Sequence, residues 1–96
     1  MILKEKEQNM KAVVTVVGKD RVGIISKVST LFSENDVNIL DISQTIMQDI
    51  FTMIMLVELK TACVKKINDE LKILAENMNL SIHLQNEEVF NSMHRI

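Results

Sequence analysis

The sequence predicts an α+β domain: a four-stranded antiparallel sheet with two helices on one face and a short helix at the C-terminal end. Three observations predict it. Segments rich in β-branched residues alternate with segments of helical periodicity, in the order β-α-β-β-α-β. Two of the four strands are apolar on both faces while the other two carry polar alternation, which separates central from edge positions. A chain of 96 residues has room for one hydrophobic core and hence one domain.

Residues 1–10 are mostly polar and are expected to fray, ahead of a domain over 11–85 and a helical tail over 86–96. From Ala12 the run Val13-Val14-Thr15-Val16-Val17, closed by Gly18, reads as a central strand. Gly18 permits a sharp turn there. Asp20 is placed to cap the next helix, in which Ile24, Ile25, Val28, Leu31 and Phe32 share one stripe. Asn35-Asp36 ends it.

Val37 to Met47 reads as an edge strand, with Ile39, Asp41, Ser43 and Thr45 on one face and Leu40, Ile42, Gln44 and Ile46 on the other. Gln48-Asp49 forms a tight turn into Phe51–Leu59, apolar on both faces and therefore central. Val64, Ile67, Leu71, Leu74 and Met78 then recur at 3-4-3-4 spacing, with lysines and acids on the opposite side. Leu80 to Gln85 is the last strand, with Ile82 and Leu84 turned inward. Val89, Phe90 and Met93 mark a small helix over 87–94.

Right-handed crossovers place both long helices on one side of the sheet. The order matches a ferredoxin-like βαββαβ sandwich, with the first and third strands central. Two helices cover one face, yet both faces of the central strands are apolar. The terminal helix or a second subunit must cover the other.

Composition narrows the function. The formal net charge is −2, and no basic cluster offers the footprint that nucleic acid requires. Apolar runs fall short of membrane-spanning or signal-peptide length, so a cytoplasmic protein is expected. Cys63 is the only cysteine, which excludes an internal disulfide. His83 and His94, the two histidines, lack the partners of a metal site and read as solvated surface residues. Cys63 reads as structural, and the seven methionines as flexible core filling. No nucleophile and base fall side by side, so an enzyme is not expected and no cofactor is implied.

The segment Gly18-Lys19-Asp20-Arg21-Val22-Gly23-Ile24 is the most informative. A glycine in the first helical turn costs about 1 kcal/mol against alanine, which calls for compensation. One reading is access for a carboxylate or other small anion to the free amides of the helix start. The other is tight packing of that start against the sheet. Asn38, opening the second strand, has two readings of its own, ligand donor or chain cap.

Taken together, these stretches resemble the ACT domain, the small regulatory module of amino-acid metabolism, over roughly residues 11–85. The likeness rests on Lys19-Asp20-Arg21-Val22-Gly23-Ile24 combined with Asn38-Ile39 downstream. The run Asn38–Asp49 and the ending Phe90–Ile96 resemble more narrowly the bacterial single-ACT proteins related to regulators of the glycine cleavage system.

The resemblance implies a homodimer that binds an amino acid or similar small metabolite at its interface. It points to Asp20, Arg21, Val22, Gly23, Ile24 and Asn38 as ligand-binding residues. Val22 stands where many members have proline. Asp20 stands where some have an amide, a change that repels a ligand carboxylate and suits its ammonium. With no enzyme or DNA-binding domain in its 96 residues, the chain is expected to act on a partner in trans. The alternative is a protein-interaction module without a small ligand, docking through the open sheet face and the C-terminal tail.

Overall fold

A computed structural model describes residues 8–93. The elements are β1 (Asn9–Gly18), α1 (Arg21–Glu34), β2 (Asn38–Met47), β3 (Ile50–Lys60), α2 (Val64–Met78), β4 (Ser81–Asn86) and α3 (Glu87–Met93). A 3-10 turn, Thr61–Cys63, precedes α2. The sheet order is β2-β3-β1-β4 with every neighbouring pair antiparallel. The ferredoxin-like expectation and its central and edge strands are therefore met. β1 starts earlier than expected, because Asn9 and Met10 pair with Lys60 and Leu59 of β3. Gln8 is tied in as well, its carbonyl accepting from the Thr61 amide at 2.8 Å, while residues 1–7 of the expected frayed segment, and His94, lie outside the described residues.

Directly opposed residues in an antiparallel pair share a face. On the helix-covered face, Ala12, Val14 and Val16 of β1 stand beside Val57, Met55 and Met53 of β3. All six are 0–1% exposed. Ile24, Val28 and Phe32 of α1 and Ile67 and Leu71 of α2 close over them. Truncating Phe32 to alanine would open a cavity there, a change that costs about 3–5 kcal/mol.

Asn35 fastens the two helices at the far end of α1. Its Nδ2 donates to the Leu31 carbonyl at 2.8 Å and to Glu70 Oε1 at 2.9 Å, while its Oδ1 accepts from Lys66 Nζ at 2.8 Å. One side chain thereby ties the last turn of α1 to α2.

β2 departs from simple alternation. Ile39 opposes Val57 and Asp41 opposes Leu56, so Leu40 is the extra residue of a bulge. The bulge moves Ile39 onto the helix-side face with Ile42, Gln44 and Ile46. It leaves Asn38, Asp41, Ser43, Thr45 and Met47 on the opposite one. Strict alternation would put Ile39 with Asp41, and the extra residue is the reason the two are on different faces.

The second sheet face is half covered. Val13 is 7% exposed, although it stands apart from the core cluster on the face away from α1 and α2. α3 packs against β1 and β4 rather than against the long helices. The half formed by β2 and β3 is barer, with Ile54 40% exposed.

Candidate functional site

The loop from β1 to α1 is organised by Asp20. Its carboxylate Oδ1 accepts from the Gly23 amide at 3.2 Å, and its carbonyl accepts from the Ile24 amide at 2.9 Å. This is the N-cap expected from the sequence, and substitution by alanine typically costs about 1 kcal/mol. Gly23 fits the same arrangement. A Cβ there would stand 2.6 Å from Asp20 Oδ2 and 3.0 Å from its Cγ. The missing side chain thus makes room for the protein's own carboxylate, which sits where an incoming anion would be received.

Gly18 serves close approach. No glycine here has a positive φ, and a Cβ at Gly18 would collide with Leu80 Cδ2 and approach Ile24 Cδ1 to 2.8 Å. The turn expected of Gly18 needs no left-handed backbone. Its lack of a side chain lets β1 end against α1 and the start of β4.

The other expected site residues divide. Arg21 is exposed; its guanidinium lies 6.0 Å from the centroid of the Phe51 ring and donates to Gln44 Oε1 at 3.4 Å. It therefore bridges the start of α1 to β2. Val22 is 74% exposed and offers an apolar surface beside the loop. Ile24 is fully buried in the core, so its side chain faces no ligand. Asn38 is exposed but stands at the other end of the sheet. It opposes Glu58, whereas Gly18 opposes Phe51. Seven strand residues separate those positions, about 23 Å at 3.3 Å per residue. Within one chain, Asp20 and Asn38 do not converge.

A cleft does lie beside Asp20. It encloses about 360 Å³ and is lined by Val17, Gly18, Lys19, Asp20, Ile50, Met78 and Asn79. Ile50, Met78 and Asn79 were not among the sequence-derived site residues. The signal that could have found them is register: Val17 opposes Ser81, which brings the end of α2 beside the end of β1. Lys19 also pairs with Asp49 at 3.7 Å, both side chains being exposed. Such a pair contributes little to stability.

Outside this cleft, Ser81 Oγ and His83 Nε2 share a hydrogen bond of 3.3 Å on β4. Cys63 is a half-buried free thiol at the start of α2. Among the described residues, no group of three or more His, Cys, Asp or Glu is placed to hold a metal ion. No described helix is long and apolar enough to cross a membrane.

An α+β module with an open sheet edge and a cleft beside the β1–α1 loop is the class that this geometry defines. The ACT domain family model matches residues 11–85, and the chain belongs to that family. A UPF0237 protein of Clostridium acetobutylicum is 52% identical over 89 residues, covering 91% of this chain and all of the relative. An ACT domain protein from Streptococcus pneumoniae superposes with a TM-score of 0.74 at 36% identity, over 84% of this chain and 93% of that one. A protein named as a glycine cleavage system transcriptional repressor gives a TM-score of 0.75 at 26% identity. That match covers 81% of this chain and 46% of the other. Membership makes the chain a regulatory, ligand-sensing type of module rather than a catalyst.

Proposed function

We propose that the chain works as a homodimer that binds an amino acid or a related small metabolite at its subunit interface and acts on a partner protein in trans. One observation carries this reading: Asp20–Gly23 and Asn38 lie at opposite ends of the sheet. A two-fold axis beside β2 reverses the second copy. Asn38 of that copy then stands at the end where the first copy holds Asp20, Ile50 and the cleft. Two half-sites that cannot meet within a chain are thereby paired between chains. Asp20 would receive the ligand's ammonium, since its carboxylate already occupies the Gly23 amide.

The test is calorimetry of the full chain against the twenty amino acids, with Asn38→Ala beside the wild type. Binding near one ligand per interface is expected. Asn38 is exposed, so its replacement should weaken binding at least tenfold while leaving the melting temperature unchanged. No heat with any of the twenty at millimolar concentration would sink the amino-acid version.

The second reading, docking of a protein without a small ligand, is favoured by the bare β2–β3 half of the second face. Val89 of the tail is also 50% exposed. Pull-down with and without residues 87–96 discriminates: partner capture lost while the dimer persists would favour docking.

A further inference from the structure

We infer that the cleft beside Asp20 selects an α-amino acid with an aliphatic side chain, a choice that rests on the amino-acid reading above. Asp20 and Lys19 hold the charged head, and Val17, Ile50 and Met78 receive the tail.

The apolar walls are the first argument. Val17 is half-buried and Ile50 is 46% exposed, and neither belongs to the core cluster. Packing of the core therefore does not account for them. Met78 packs only against the margin of that cluster. Its Cε stands 3.4 Å from where a Cβ on Gly23 would be, which fixes the thioether end beside the Asp20 loop. A methionine there gives the wall a flexible, polarizable surface that adapts to an alkyl chain.

The charges at the rim supply the second argument. The Asp20 carboxylate accepts one amide, that of Gly23 at 3.2 Å, and a carboxylate has room for further donors such as an ammonium. Lys19 is the adjacent residue and lines the same cleft. Its pair with Asp49 is 3.7 Å long and exposed on both sides. An ion pair of that kind is worth little, so Lys19 can exchange Asp49 for a ligand carboxylate at small cost. Neighbouring opposite charges thus face a zwitterionic head, and neither belongs to the apolar walls.

Size and chemistry narrow the tail. The cleft encloses about 360 Å³, at the lower end of the roughly 300–1,000 Å³ of small-molecule pockets, which suits one compact metabolite. An acidic or basic tail would bring a charge against Val17, Ile50 and Met78 and lose its hydration there without a partner. An alkyl tail meets no such penalty. Each methylene it adds to an apolar pocket is worth about 10–200-fold in discrimination.

Calorimetry of the full chain with L-alanine, L-leucine and L-glutamate reads the choice. L-Leucine should bind at least tenfold more tightly than L-alanine, and L-glutamate more weakly than either. Ile50→Ser should weaken L-leucine at least fivefold and L-alanine less than twofold. Val17→Thr keeps the branched shape of valine in the strand, and should shift the two ligands in the same unequal way. L-Glutamate binding best, or L-alanine equalling L-leucine, would overturn the aliphatic choice and leave the amino-acid reading standing. Equal loss of both ligands in the two variants would remove the tail from this cleft. No heat with any amino acid would overturn the amino-acid reading itself, and this inference with it.

Discussion

The two edges of the sheet are built to opposite specifications. β4 is six residues long, turns Ser81, His83 and Gln85 outward, and passes directly into α3, which packs back against β1 and β4. β2 is ten residues long and exposed throughout. Ile39, Leu40, Ile42, Ile46 and Met47 are each at least 37% exposed. One edge is short, polar and backed by its own tail, while the other offers an unpaired backbone row with apolar side chains on both faces. β4 closes the molecule; β2 leaves it open. The helical layer does not explain the difference, since both edges flank the same core. The cause lies in the residues of each strand and in the element that succeeds it: a packed helix after β4, a hairpin turn after β2.

A charge placed on each edge in turn should have the largest effect. Ile42→Lys should raise the dimer dissociation constant at least 100-fold, equivalent to about 2.7 kcal/mol, because it replaces an exposed apolar side chain of the β2 edge with a cation that pairing would bury. Ser81→Lys on β4 should change it less than twofold. Sedimentation velocity over a dilution series measures both. A larger effect from Ser81→Lys would make β4 the joining edge.

Removing residues 87–96 probes the closed edge. β1 would lose its contact with α3, and exposing the equivalent of one buried valine side chain costs about 2 kcal/mol. The urea midpoint should fall accordingly while the dimer persists. Loss of the dimer would show that the tail belongs to the interface.

The cap at the cleft is expected to come next in size. Asp20→Ala should destabilise the chain by about 1 kcal/mol. Gly23→Ala should be neutral or worse in the wild type, because its Cβ meets the Asp20 carboxylate at 2.6 Å. In the Asp20→Ala background the same change should stabilise by about 1 kcal/mol, the ordinary helical preference for alanine. Thermal melts of the four proteins at one protomer concentration complete the cycle. Additivity between the two changes would show that Gly23 is not there for the cap.

Most of the fold was legible because its signals are local. Gly18 and Asp20 mark one boundary, Asn35-Asp36 another, and the 3-4-3-4 stripe from Val64 to Met78 coincides with α2. The bulge was not legible. Asn38–Met47 alternates acceptably without it, and only pairing with Val57 and Leu56 reveals Leu40 as extra. The site was legible in half. An aspartate three residues before a glycine at a helix start announces a cap. Nothing in the spacing says that its carboxylate fills the anion position, or that Asn38 stands at the opposite end. Those facts depend on strand direction and register, which are set by the whole sheet.

The smallest expected effect compares the turns beside the two edges. Gln48, just after β2, and Asn79, just before β4, both have left-handed backbones, with φ of 57° and 59°. Asparagine tolerates that region because its short amide can bond locally, whereas a longer side chain pays a steric cost of about 1–2 kcal/mol. Glycine removes that cost but adds freedom to the unfolded chain, which leaves a net gain of about 0.5 kcal/mol for Gln48→Gly. Asn79→Gly should gain nothing, since its residue already suits the conformation. Gln48 also lies outside β2, so its replacement should raise the melting temperature without altering the dimer dissociation constant. If Gln48→Gly weakened the dimer instead, the turn would be part of the joining edge, and the open region would extend from β2 to the cleft beside Asp20.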